Sequence, residues 1–148
     1  MLSTMFNEEI IGKTLGKKAN LCKLNASILA YPVIISGENT HRGTMEGISG
    51  LNAQLEEYLS LDKRVTKNSV PTFIWTTTEA TPVPMESSLA LAIAYRKVGV
   101  PFELHVFETG HHGLSLCNKE VNDVNEPNSV WLKMAFDWLN IRGFDIID

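Results

Sequence analysis

Two adjacent histidines lie between glycines in Gly110-His111-His112-Gly113, directly after a run in which Phe102, Leu104 and Val106 alternate with Glu103, His105 and Phe107. The alternation reads as a strand, and the glycines let the backbone turn sharply just past its end. Imidazole titrates near neutral pH, so a histidine held in such a loop suits general-base chemistry. A second loop, Glu79-Ala80-Thr81-Pro82-Val83-Pro84, stands upstream. A third histidine, His41 of His41-Arg42-Gly43, can serve as ligand or base, but a loop histidine bonded to backbone is its simpler role. Taken alone, these residues also fit ordinary surface loops.

The elements around them change that weighting. Thr72 to Thr77 reads as a strand. Pro84 to Val98 reads as a helix with Leu89, Ala92 and Ile93 on one stripe, Arg96 and Lys97 near its C-terminus, and Gly99 ending it. Strand, loop, helix, strand and histidine loop make one βαβ unit, which puts both loops at the carboxyl edge of a parallel sheet. The apolar run Ala26 to Ile35 suits another parallel strand covered on both faces, loosened around Pro32, which has no N–H to donate. The sequence therefore predicts an α/β fold of about three parallel strands with flanking helices. Of the rest, 41–43 reads as loop, Ile48 to Leu59 as one or two short helices, and Leu61 to Asn68 as a charged, solvated stretch. Asn118 to Asn128 reads as a solvated loop. Asn128 to Ile141 reads as a last helix with Val130, Trp131, Met134, Ala135 and Trp138 at helical spacing, ended by Gly143. Near the start, Asn7 to Leu15 reads as a short helix with Asn7 as N-cap and Gly16 at its end, followed by a polar turn at 17–20.

Several of these stretches together resemble the closing half of an α/β-hydrolase. Pro71-Thr72-Phe73-Ile74-Trp75, Val83-Pro84-Met85-Glu86-Ser87-Ser88, Gly99-Val100-Pro101-Phe102-Glu103-Leu104-His105 and Gly110-His111-His112-Gly113-Leu114 carry the likeness, with Tyr31-Pro32-Val33-Ile34 and His41-Arg42-Gly43. The group they resemble is the acetyl-esterase and acetyl-xylan-esterase-like one, related to dienelactone hydrolases and prolyl peptidases. The resemblance runs from about Leu2 to Gly143. It implies a single, incomplete α/β-hydrolase domain over 1–148, with His112 at the catalytic histidine position and small esters or acetylated carbohydrates as substrates.

The same resemblance shows what departs from the pattern. The acid belongs in Asp-x-x-Val-Pro, and counting back from Val83-Pro84 puts it at Ala80, which cannot orient an imidazole. Glu79, one residue earlier and longer, is the available substitute. No G-x-S-x-G nucleophile elbow occurs; Gly47-Ile48-Ser49-Gly50 comes near it, but Leu51 stands where the last glycine belongs. The expectation is a serine-type ester hydrolase half that is inactive alone. The alternatives are one half of a split esterase completed by another chain, and a non-enzymatic interaction domain. The first strand is expected to have an open outer edge, favouring self-association or a complementary N-terminal half as partner.

Bulk composition narrows the remaining classes. A net charge of −4 argues against nucleic-acid binding, which wants a basic face. No apolar run approaches the ~20 residues of a membrane span, and no secretory leader is visible, so a cytoplasmic location is expected. Cys22 and Cys117 read as free thiols, and no cofactor or metal is implied.

Overall fold

The computed structural model describes residues 2–6, 8–16, 21–121 and 124–144. Three strands, β1 (Ser27–Ala30), β2 (Thr72–Thr77) and β3 (Phe102–Phe107), form one parallel sheet in the order β1-β2-β3. The register sets Ala30 beside Trp75 and Trp75 beside His105, and ends with Thr77 beside Phe107. All six residues of β2 are buried. A central parallel strand is covered on both faces, so its sequence, Thr-Phe-Ile-Trp-Thr-Thr, has no exposed polar alternation.

The strand's two faces feed two cores. Phe73 and Trp75 pack with Tyr31, Trp131, Ala135 and Trp138, the last three from helix α6 (Glu126–Ile141). Ile74 packs on the other side with Leu91 and Tyr95 of helix α5 (Glu86–Val98), and with Met5 of helix α1 (Leu2–Met5). Helices α2 (Glu9–Leu15), α3 (Arg42–Ser49) and α4 (Ala53–Tyr58) complete the set. Gly99 takes the left-handed conformation that closes α5, at φ 74°.

A buried hydroxyl ties β1, β2 and α5 together. Thr72 Oγ1 donates its one proton to the Val70 carbonyl at 3.0 Å, so it accepts from Ser27 Oγ at 2.7 Å and Tyr95 Oη at 3.0 Å. Burial pushes the Tyr95 phenol up from its ordinary value.

The structure corrects several sequence readings. The run Ala26 to Ile35 pairs only over Ser27–Ala30. Tyr31 N–H makes the last ladder bond, to the Trp75 carbonyl at 3.0 Å, and the chain then turns at Tyr31, φ 47°, ahead of Pro32. Residues 42 and 43 are not loop but the first turn of α3, with His41 as N-cap. Within 61–68, Leu61–Arg64 forms a 3-10 turn and Leu61 is buried rather than solvated. On α5 the inward stripe is Ser88, Leu91, Ala92 and Tyr95, and Ile93 is 56% exposed. Val130 is 48% exposed, because the inward stripe of α6 runs through Trp131, Ala135 and Trp138. Helix α2 begins at Glu9 with Glu8 as N-cap and closes at Gly16; Asn7 and the polar turn at 17–20 lie outside the described residues.

Thr72→Val keeps shape and removes the shared acceptor, leaving the Tyr95 hydroxyl buried without its partner. Urea unfolding at pH 7 is expected to show a loss of about 1–3 kcal/mol, against less than half that for the exposed control Thr66→Val.

Candidate functional site

Because the strands are parallel and end at one height, the segments after them leave at the same edge. The loops after β2 and β3 are joined there. Thr78 N–H donates to the Phe107 carbonyl at 2.9 Å, and Thr78 Oγ1 donates to the Glu108 carbonyl. Thr77 Oγ1 donates to the Gly110 carbonyl at 2.5 Å, and Gly110 N–H donates to Glu79 Oε2 at 2.7 Å. The histidine loop and the 79–80 loop are thus neighbours.

The two histidines of the loop point to different environments. His111 is exposed, and its Nδ1–H donates to the His112 carbonyl at 2.6 Å. His112 is half-buried, and its ring meets Tyr31 edge-on at 4.9 Å between centroids. Tyr31 in turn stands edge-on to Trp75 at 4.7 Å. His112 Nδ1 is buried without a hydrogen-bond partner among the described residues. Burial holds the His112 imidazole below its ordinary value, and positive charge on His41 and His111 adds to the effect. The neutral ring is therefore the favoured form, which is the form a general base needs.

The two candidate acid positions answer differently. Ala80 is 2% exposed and belongs to the apolar cluster of Tyr31, Trp75, Leu114 and Cys117. Glu79 spends its Oε2 on Gly110 N–H and does not reach His112 Nδ1. His41 Nδ1 accepts from Thr44 N–H at 3.1 Å and shares a 2.7 Å bond with Thr44 Oγ1, which is the backbone-bonded role read from sequence. Ser49 lies at the end of α3, buried, with its hydroxyl donating to Glu56 Oε1 at 3.3 Å and accepting from Leu51 N–H at 3.2 Å. It sits on a helix and not on a strand-to-helix elbow.

Two residues of the site escaped the sequence reading. Tyr31 had a signal, since a bulky residue before proline at the end of an apolar strand marks where a chain turns. Asn128 also had one: it continues the inward spacing of Trp131, Ala135 and Trp138, yet it is polar. It is 1% exposed, and its Nδ2 donates to the Thr109 carbonyl at 2.7 Å.

No protein-family model matches the chain. Among curated proteins, endo-1,4-beta-xylanase B of Butyrivibrio fibrisolvens is 44% identical over 95 residues, which is 63% of this chain and 15% of that protein. Among solved structures, an acetyl ester-xyloside bifunctional hydrolase from Caldicellulosiruptor lactoaceticus superposes with a TM-score of 0.77 at 37% identity, covering 83% of this chain and 44% of that one. A carboxylesterase from Lactobacillus plantarum superposes with a TM-score of 0.72 at 26% identity, covering 96% of this chain and 54% of that one. The chain spans about half the length of these esterases and a small part of the xylanase.

The lowered His112 pKa has a consequence for stability. Between the folded value and the ordinary 6.5 of the unfolded chain, the unfolded state binds more protons, so stability falls as pH falls through that window and is level above it. The urea midpoint of the wild type is expected to drop more between pH 7.5 and pH 5 than that of His112→Gln. Equal drops in the two proteins would contradict the buried, unpaired imidazole.

Proposed function

Because the chain shares the α/β-hydrolase fold with those esterases, as the closing half of it, we propose that it is the histidine-bearing half of a serine-type ester hydrolase acting on small esters or acetylated carbohydrates. His112 is the general base of this reading, and its carboxylate partner is lost at Ala80. The observation that carries it is the buried, unpartnered His112 Nδ1 at the carboxyl edge of the sheet, beside the 79–80 loop. In serine hydrolysis the histidine takes the hydroxyl proton on one ring nitrogen while a carboxylate holds the N–H of the other. His112 has the position and the neutral form but not that second contact. Glu79 serves the reading as an anchor for Gly110 rather than as the orienting acid.

The nucleophile and the oxyanion donors of such a reaction come from outside residues 1–148, which contain no G-x-S-x-G. Losing one oxyanion donor alone costs on the order of 10²–10³ in rate. The 148-residue protein is therefore inactive by itself in this reading. A second reading, a half that assembles with another chain or with its own copy, is favoured by β1, which among the described residues pairs only with β2, leaving Ile28 38% exposed at that edge. Sedimentation at rising concentration tests it, and a monodisperse monomer at high concentration counts against it. No described helix is long and apolar enough to cross a membrane.

The activity test has two parts. The 148-residue protein is expected to leave p-nitrophenyl acetate at its background rate. A chimera in which this chain replaces the matching segment of the Caldicellulosiruptor hydrolase is expected to be weakly active. Ala80→Asp in that chimera is then expected to raise kcat by up to about 10⁴-fold, with the gain abolished by His112→Ala. His112-dependent turnover by the isolated chain, blocked by a fluorophosphonate, would sink the reading, as would an Ala80→Asp chimera no faster than its parent.

A further inference from the structure

Three backbone polar groups of Thr109 and Gly110, three and two residues before His112, are taken by side chains from elsewhere in the fold. The Thr109 carbonyl accepts from Asn128 Nδ2 at 2.7 Å, Gly110 N–H donates to Glu79 Oε2 at 2.7 Å, and the Gly110 carbonyl accepts from Thr77 Oγ1 at 2.5 Å. Asn128 is 1% exposed and Thr77 is fully buried, so the donor ends of two of these three contacts lie out of water, while the Glu79 contact is exposed. Asn128 occupies the sheet-facing spacing of α6, where an apolar residue would pack as well and would leave the Thr109 carbonyl without this donor. Its own backbone N–H is fixed by Asn125, at 3.1 Å to the carbonyl and 3.3 Å to Oδ1.

Gly110 shows how closely the loop is pressed onto this grip. It lies at φ 115°, and a Cβ there would come 2.6 Å from Leu114 Cδ1 and 2.8 Å from Asn128 Nδ2. No residue but glycine fits without moving the asparagine. The loop is therefore located by contact as well as by hydrogen bonds, and the ring two residues on inherits that location.

We propose that Asn128 and Thr77 are positioning residues for His112, fixing the Thr109–Gly110 backbone so that the imidazole is held against Tyr31 at the carboxyl edge of the sheet. The proposal deepens the reading of His112 as a base and rests on it for its functional meaning. Glu79 makes the third, exposed contact and is the weaker one. The titratable groups whose charge acts on the ring are His41, the N-cap of α3, and His111 of its own loop.

The test is NMR titration of the histidine rings in the 148-residue protein, with His112→Gln used to assign the His112 signals. Asn128→Leu removes the donor without adding charge and keeps an apolar residue of similar size on the inward stripe. The His112 midpoint is expected to rise from its lowered value to the ordinary histidine value of about 6.5, with its ring signals moved. The ring signals of His105, paired with Glu103 on β3, stay in place as the control for the fold. An Asn128→Leu protein that keeps the His105 signals and leaves the His112 midpoint and shifts unchanged overturns the proposal. If Asn128→Leu does not fold, Thr77→Val takes its place: a raised His112 midpoint supports the proposal, and an unchanged one overturns it. An inactive Ala80→Asp chimera would refute ester hydrolysis while leaving this titration result standing, so the two failures are distinguishable.

Discussion

The parallel pairing of β2 with β3, closing with Thr77 beside Phe107, decides where every group of interest stands. Parallel strands of equal length finish at one height, so the segments that follow them start as neighbours. Here the last residues of β2 use that proximity directly. Thr77 ends the register beside Phe107, and Thr77 and Thr78 turn their hydroxyls onto carbonyls of the loop after β3. A one-residue slip would turn the Thr77 hydroxyl to the opposite face and release Gly110. The two cores hold that register, because Phe73 and Trp75 fill one side of β2 and Ile74 the other, and neither set can exchange faces.

The main elements were legible because their signals are local. β2 and β3 are read at their full bounds from composition and from the helix between them, since a strand-helix-strand spacing leaves few alternatives. What failed was the choice of helix stripe and of strand end. On α5, Ala92 is read correctly, but Leu89 and Ile93 look as apolar as Leu91, and only packing against Ile74 and Met5 selects Leu91, with Tyr95 one turn on. The run after residue 26 stays apolar through Ile35, yet the strand ends at Ala30. Burial there continues without pairing: Ile34 joins the α5 core from an irregular segment, and its backbone N–H is met by Ser87 Oγ at 3.3 Å. Apolar content reports burial, and hydrogen-bond pairing is a separate matter that Tyr31 and Pro32 decide.

The site was legible to the extent that its chemistry follows chain order. His112, the 79–80 loop and their shared edge come from the βαβ unit. The division between His111 and His112 does not, since adjacent residues of one type differ only in which way the turn points them. The buried role of Asn128 is also hidden, because its partner is a backbone carbonyl nineteen residues back. A carbonyl has no sequence identity, so such a contact leaves a trace only on the asparagine, as a polar residue in an apolar spacing.

In the proposed hydrolase reading, Ala80 and the unpaired His112 Nδ1 are one feature. A carboxylate at a position 2% exposed would cost several kcal/mol to bury unless a donor met it, and the imidazole N–H is such a donor. On that reading the imidazole Nδ1 lacks a partner because alanine offers none. The buried cluster around Ala80 is apolar, and burial favours the neutral form of His112. Neutrality alone is insufficient for the proposed role. A neutral imidazole has two tautomers, and an orienting carboxylate selects the one whose free lone pair faces the nucleophile. In this chain the choice falls to weaker influences: the Tyr31 ring edge and the fields of His41 and His111. On that reading the loss at Ala80 acts on where the imidazole carries its proton more than on how strongly it holds one.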